Sequence, residues 1–316
     1  MIIASFFFTF SILICFGSRR EQEVVVHPPV QEIPIPPSNP GPKQPRITNP
    51  FPGYQNYQSV INQLKEWESE AEDFVDIGTY GTSSNGTPLW WIRITNEKDS
   101  YYNKKKVLVT ASIHGNEPWS TSTVMAYIGT ILDTYGKDHE VTSLVESREL
   151  YFIPVVSPDS YPVSRRVDGV DPNRDFPTLR NPNKTSVPPV QALRNFFLKV
   201  QPNAVISGHT YGRLYLYPWG DQRALPSNNE DFQRIVGEMG FKSRYKVIRA
   251  CEMYNRPIYG TELDWYYRNG AFPVVMEFGT HQRIPSMEDT KIEFERTYKA
   301  VLYFLKEAPL VEMKLD

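Results

Sequence analysis

The 316-residue sequence predicts an α/β fold, a single domain with a mixed, mostly parallel central sheet and helices on both faces. Two observations lead there. Along residues 54–316, short apolar runs bounded by turn residues alternate with longer segments whose apolar residues recur at helical spacing. The composition, 40% apolar and 22% charged, supplies a soluble globular chain with material for one large core.

The elements follow in chain order. Residues 1–17 are a signal-like or anchor segment: the apolar run Ile2–Phe16 is shorter than a membrane span needs, and Cys15 and Gly17 supply small residues before a cleavage after Gly17. Arg19 and Arg20 follow this run instead of preceding it, opposite to the usual charge order, and Ile14 is bulky for a lipid-modified Cys15. A secreted, periplasmic or cell-surface location is expected. Residues 18–53 are crowded with proline, which removes backbone donors and favours extended chain, so they read as a linker that could tether the domain to a membrane; His27 within it has no expected role. The globular domain is predicted over 54–316. Val60, Ile61, Leu64, Trp67 and Ala71 mark an amphipathic first helix, and a hairpin turns around Asn85 and Gly86. A strand runs from Val107 to Ala111, a helix from about Ser120 to Tyr135, and a strand through ELYFIPVV. A helix at VQALRNFFLKV, strands at NAVISGH and RLYLYP, a helix near NEDFQRIVGEMG, a strand at FPVVMEFG and a closing helix from Met287 to Glu307 complete the series. There is no internal repeat.

A formal charge of -2 and a pI near 6.3 leave no basic excess, which excludes nucleic acid as the expected partner. With two cysteines, Cys15 and Cys251, neither a disulfide framework nor a cysteine zinc site can be built, and Cys251 reads as a small buried thiol. Any metal must therefore use His and carboxylate ligands, and there are five histidines. His114 and Glu117 follow the strand Val107–Ala111, where open α/β sheets bind ligands, and a His and a carboxylate three apart can meet on one ion. His209, after the apolar AVISG, is the candidate third ligand. His139 in the charged loop KDHE and His281 beyond Glu277 are weaker alternatives. His-x-x-Glu is common by chance, so these residues nominate a metal site without fixing it. Glu277 ends the apolar run FPVVME, a costly place for a carboxylate that faces neither a site nor a partner.

Five segments in order decide among these readings: GTSSNGTPLWWIRI, ASIHGNEP, SPDSYPVSRRVDGVDPNRDFP, GHTYGRLYLYPWG and LDWYYRNGAFPVVMEFG. The chain resembles the zinc carboxypeptidase family, typified by carboxypeptidases A and B, over roughly Tyr54 to Glu307. The resemblance implies one Zn2+ held by His114, Glu117 and His209, with Glu277 as the base that deprotonates zinc-bound water and passes the proton to the leaving amine. It implies that Asn173 and Arg174 bind the substrate's terminal carboxylate, and that Tyr211 lines a subsite. A second arginine polarises the scissile carbonyl in the family. The loop here is short and offers Arg165 and Arg166, with a slight preference for Arg166. For the tyrosine that closes over the substrate, the position counted back from Asp264 and Trp265 falls near Arg256, so Tyr254 and Tyr259 are both candidates. Leu263 stands at the family's specificity position and implies an apolar pocket, whereas a one-residue shift would put Glu262 there.

The expected function is thus that of a zinc metallocarboxypeptidase, a monomer acting on peptides with a free C-terminal carboxylate. A zinc deacylase of N-acyl amino acids, or a peptidase of cell-wall stem peptides, is the alternative. A catalytically dead binding module would have lost a ligand or the base, and neither is missing. No propeptide of the size seen in pancreatic precursors is expected before Tyr54.

Overall fold

The computed structural model describes residues 47–97, 103–281 and 284–314. The segment 1–17 and the linker up to residue 46 lie outside the described residues. Strands β1 (Val75–Thr82) and β2 (Pro88–Ile94) form the predicted antiparallel hairpin, and β2 pairs antiparallel with β4 (Arg148–Ile153). From there β4, β3 (Lys105–Ala111), β5 (Ala204–Thr210) and β8 (Phe272–Phe278) run parallel. Beyond them β6 (Leu214–Tyr217) is antiparallel to β8, and β7 (Lys246–Arg249) is parallel to β6. The result is an eight-stranded sheet in the order β1-β2-β4-β3-β5-β8-β6-β7.

The central strands are apolar on both faces because both faces are covered. Val107 and Val109 of β3 and Ala204 and Ile206 of β5 enter one core, while the alternating Leu108 and Val205 enter the other. Helices α2 (Pro118–Thr134), α5 (Asn229–Ser243) and α8 (Met287–Glu307) pack together, and the first core takes in Met125 and Tyr127, Phe232 and Val236, and Val301 and Phe304 from them. α1 (Tyr57–Glu70) adds Leu64 and Trp67 to that core, and α3 (His139–Ser147) adds Val141, Leu144 and Val145. On the other side α4 (Pro188–Val200) and α7 (Glu262–Arg268) bury Leu193, Phe197 and Tyr266. Each such aliphatic or aromatic burial contributes roughly 1.5–3 kcal/mol.

Three differences from the sequence reading have physical causes. His139 is the first residue of α3, where Asp138 caps the helix by accepting from the Glu140 and Val141 N–H groups. Strand β7, the four-residue α6 (Ala250–Met253) and α7 are too short to show a period. Residues 47–53, read as linker, pack on the domain: Ile47 is buried, Trp67 donates to the Thr48 carbonyl at 3.2 Å, and the Phe51 ring meets Phe294 edge-on at 5.1 Å. Among the described residues no helix is long and apolar enough to cross a membrane.

Candidate metal centre

The centre forms where β3 and β5, hydrogen-bonded side by side, end together. Past Ala111 the chain turns at Ser112, whose φ of 46° is left-handed without the help of glycine. Ser112 is held in that turn because its hydroxyl donates to the Glu117 carbonyl at 3.1 Å, while its own N–H donates to the Ser120 hydroxyl at 3.2 Å. His114 and Glu117 are thereby folded back toward each other. Between them Gly115 lies flat on Ser160; a Cβ there would come within 2.4 Å of the Ser160 backbone. Pro118 then opens α2 with the fixed φ suited to a first helical position, leaving Glu117 at the cap.

The three residues interlock. Glu117 Oε1 lies 2.9 Å from His114 Nδ1, and its Oε2 lies 3.0 Å from His209 Nδ1 and accepts the Thr210 N–H at 3.2 Å. All three side chains are buried, and one ligand atom from each falls within 4.8 Å of the others. Burial opposes charge on Glu117, but His209 and His114 outweigh it and hold the carboxyl down to about 2. Burial likewise opposes charge on His209, yet Glu117 and Glu262 raise its pKa well above 6.5.

Each imidazole turns its other nitrogen to a second carboxylate. His114 Nε2 is 3.0 Å from Asp171 Oδ1, and His209 Nε2 is 2.8 Å from Glu262 Oε1. Each imidazole thus lies between two carboxylates, which can only accept; a cation taking the place of the Nδ1 protons that face Glu117 would have both Nδ1 atoms as ligands and leave both Nε2 atoms donating to Asp171 and Glu262. Two imidazoles and one carboxylate are a donor set that suits zinc and leaves a position for water. Asp171 was not read as part of the site, although it stands inside the DPNR segment and an acid two residues before Asn173 was the available signal, and Glu262 was read only as the shifted alternative to Leu263 at the specificity position. Burial resists the charge of Asp171, and His114 and Arg165 overcome it, holding its carboxyl well below the ordinary range.

Around the centre lies a cavity of about 160 Å³ lined by His114, Glu117, His209 and Glu277 together with Arg165, Asn173, Arg174, Thr210, Tyr211, Met253 and Tyr254. Glu277 is in register with His209 on the neighbouring strand, and burial, with Glu117 adding to it, raises its carboxyl to about 7 against the pull of His209 and His114. Asn173 and Arg174 arrive on a single turn, Pro172–Arg174, capped by Asp171. Arg174 places its guanidinium 5.8 Å from the centre of the Tyr254 ring.

The two arginines separate here. Asn116 donates to the Ser164 carbonyl at 3.0 Å, tying that loop to the metal loop, and Arg165 then reaches Asp171 at 3.2 Å and Glu117 at 3.6 Å. Ser164 closes a tight turn by accepting the Arg166 N–H at 3.1 Å and donating to the Arg166 carbonyl at 3.0 Å, which sends Arg166 outward onto the Gly169 carbonyl. The slight preference for Arg166 is thus reversed as to place: Arg165 lines the cavity. Of the tyrosines, Tyr211 and Tyr254 line it, while Tyr259 lies in a separate depression with the Arg180 guanidinium 4.9 Å over its ring. Leu263 is outside the lining, buried with Leu216, Ala250, Ile258 and Val275. Cys251 is buried and burial raises its thiol pKa.

The family model described as zinc carboxypeptidase matches residues 60–300, a span that holds His114, Glu117, His209 and Glu277. The chain belongs to the zinc carboxypeptidase family. It is 25% identical over 252 residues to carboxypeptidase SOL1 of Arabidopsis thaliana, covering 73% of this chain and 51% of that protein. It is 23% identical over 298 residues to human mast cell carboxypeptidase A, covering 80% of this chain and 69% of that one. The chain therefore spans between about half and about two thirds of the length of these two relatives. Among solved structures, thrombin-activatable fibrinolysis inhibitor superposes with a TM-score of 0.75 at 18% identity, covering 83% of this chain and 76% of that one. Carboxypeptidase A from Helicoverpa armigera gives 0.67 at 18% identity, covering 82% and 74%. At such identities these two likenesses show the fold.

Proposed function

We propose that the protein is a zinc-dependent carboxypeptidase that hydrolyses the last peptide bond of a chain ending in a free carboxylate. The observation that carries this reading is one cavity holding the His114–Glu117–His209 donor set, the half-buried Glu277 and the Arg174 guanidinium together. When bound, zinc supplies a Lewis acid that makes water a nucleophile near neutral pH and polarises the scissile carbonyl. Glu277 takes the proton from the attacking water and returns it to the leaving amine, and its burial, which favours the protonated form, helps it to hold the proton between the two transfers. Arg174 forks onto the terminal carboxylate, and Asn173 adds a polar wall beside it. Arg165 faces the developing oxyanion. Tyr211 and Tyr254 flank the entrance and screen the reacting groups from water.

The experiment is chelation and zinc add-back on peptides with free or amidated C-termini. Activity on the free-carboxylate peptide should vanish with the metal and return with it, and the amidated peptide should be a poor substrate throughout. Full turnover after complete metal removal, or equal turnover of the amide, would refute the reading.

A further inference from the structure

We propose that Glu262 is a positioning residue for the metal centre, fixing the tautomer of His209 and strengthening its Nδ1 as a ligand. The inference rests on the zinc reading of His114, Glu117 and His209.

Glu262 is fully buried, and among the described residues His209 is the one side chain able to carry positive charge within ion-pair distance of it. Its Oε1 lies 2.8 Å from His209 Nε2, while its Oε2 has no hydrogen-bond partner. Withdrawing a carboxylate from water costs several kcal/mol, and an unpaired oxygen adds to that cost. A purely packing role at this point on α7 would be met more cheaply by an apolar side chain. The placement is also determined with care. Gly260 adopts φ of 73° and lies so close to the Arg174 carbonyl that a Cβ would approach it to 2.5 Å. Thr261 caps α7 by accepting the Asp264 N–H, and the Glu262 N–H donates to Asn173 Oδ1 at 2.9 Å. The same Asn173 sets its Nδ2 3.4 Å from His209 Nε2, so the imidazole edge is enclosed by the pair. Next along the helix, the Tyr266 hydroxyl is buried, and burial and the Glu262 charge together raise its pKa well above 10.

The two carboxylates behind the two histidines are unequal. Asp171 shares its charge with Arg165 as well as His114, and its side chain is 17% exposed. Glu262 is fully buried and gives its charge to His209 without an arginine to offset it. The Glu262–His209 pair should therefore donate more strongly to a bound cation than the Asp171–His114 pair does.

The test compares the full chain with its Glu262→Gln, Glu262→Ala and Asp171→Asn variants. Zinc affinity is read by competition with a chromophoric chelator, and the ring N–H signals of the zinc-loaded proteins by ¹⁵N-correlated NMR. Expected are a loss of about tenfold in affinity for Glu262→Gln, up to about 100-fold for Glu262→Ala, and a smaller loss for Asp171→Asn. The His209 Nε2–H resonance should lie far downfield in the parent and move upfield in Glu262→Gln, a change that a role in packing alone would not produce. If Glu262→Ala does not fold, the near-isosteric Glu262→Gln carries the test. Parent-like zinc affinity (within about twofold) with an unmoved His209 signal in folded Glu262→Gln overturns the proposal while leaving the zinc reading intact. A parent that binds no zinc overturns both.

Discussion

The floor of the cavity and its rim are built by different means. On the floor, His114, Glu117, His209 and Glu277 are within a few residues of strand ends, and each of the three candidate ligands is tied to another by a hydrogen bond of about 3 Å. On the rim, Arg165, Tyr211 and Tyr254 stand on loops, with Tyr211 half exposed and Tyr254 38% exposed. Two adjacent arginines diverge there because of one serine turn. Sheet registry fixes the reacting groups, and local turn chemistry decides which rim residues reach them.

The largest effect that would break this contrast is on the floor. Glu277→Gln should retain zinc, as read by metal analysis, and lose roughly 10²–10⁴-fold in kcat. The same residue sets a pH dependence. Its pKa in the metal-free fold, about 7, lies above the ordinary 4.5, so between those values the folded state holds more protons than the unfolded state. The contribution of Glu277 to stability is therefore full below about 4.5 and is lost as pH rises toward 7, and metal-free Glu277→Gln should show a flatter Tm profile across that window. In the loaded enzyme a nearby cation favours the carboxylate, so the acidic limb of kcat/KM should fall below 7.

Next in size come the arginines. Arg165→Ala should cost roughly 10²–10³-fold in kcat, whereas Arg166→Ala should leave kcat and Tm near the parent, since its guanidinium serves only an exposed carbonyl. Equal losses in a side-by-side steady-state comparison would erase the distinction between the inward and outward arginine. Arg174→Ala should act mainly on KM, raising it roughly tenfold to 100-fold through loss of a charged hydrogen bond to substrate. The smallest effect is expected at the tyrosines: Tyr254→Phe should lower kcat/KM by less than about tenfold, and Tyr259→Phe should leave it unchanged.

Much of the floor was legible in the sequence because its signals are periodic. Apolar runs ending at Ala111, Gly208 and Met276 identify strands, and the chemistry-bearing residues follow at once. The rim was less legible because its determinants are single hydrogen bonds. Neither Ser164 bonding to both sides of Arg166 nor the Asn116–Ser164 contact leaves a pattern in the residue order. Glu262 illustrates a different limit. As an acid beside Leu263 it read as a variant of the specificity position, and only the fold brings it to a histidine 53 residues away. The segment 47–53 misled through its prolines, which suit an extended strap lying on α1 and α8 as well as they suit a free linker.

The pairing of His209 with Glu277 across β5 and β8 has an evolutionary corollary. Because adjacent parallel strands hold the two at fixed separation, insertions and deletions in the surrounding loops can reshape what enters the cavity without retuning the distance between His209 and Glu277. Changes in the loops that carry Arg165 and Tyr254 are of the kind such a chassis tolerates, so new substrate preferences can be explored by rearranging the doorway while the strands behind it stay in place.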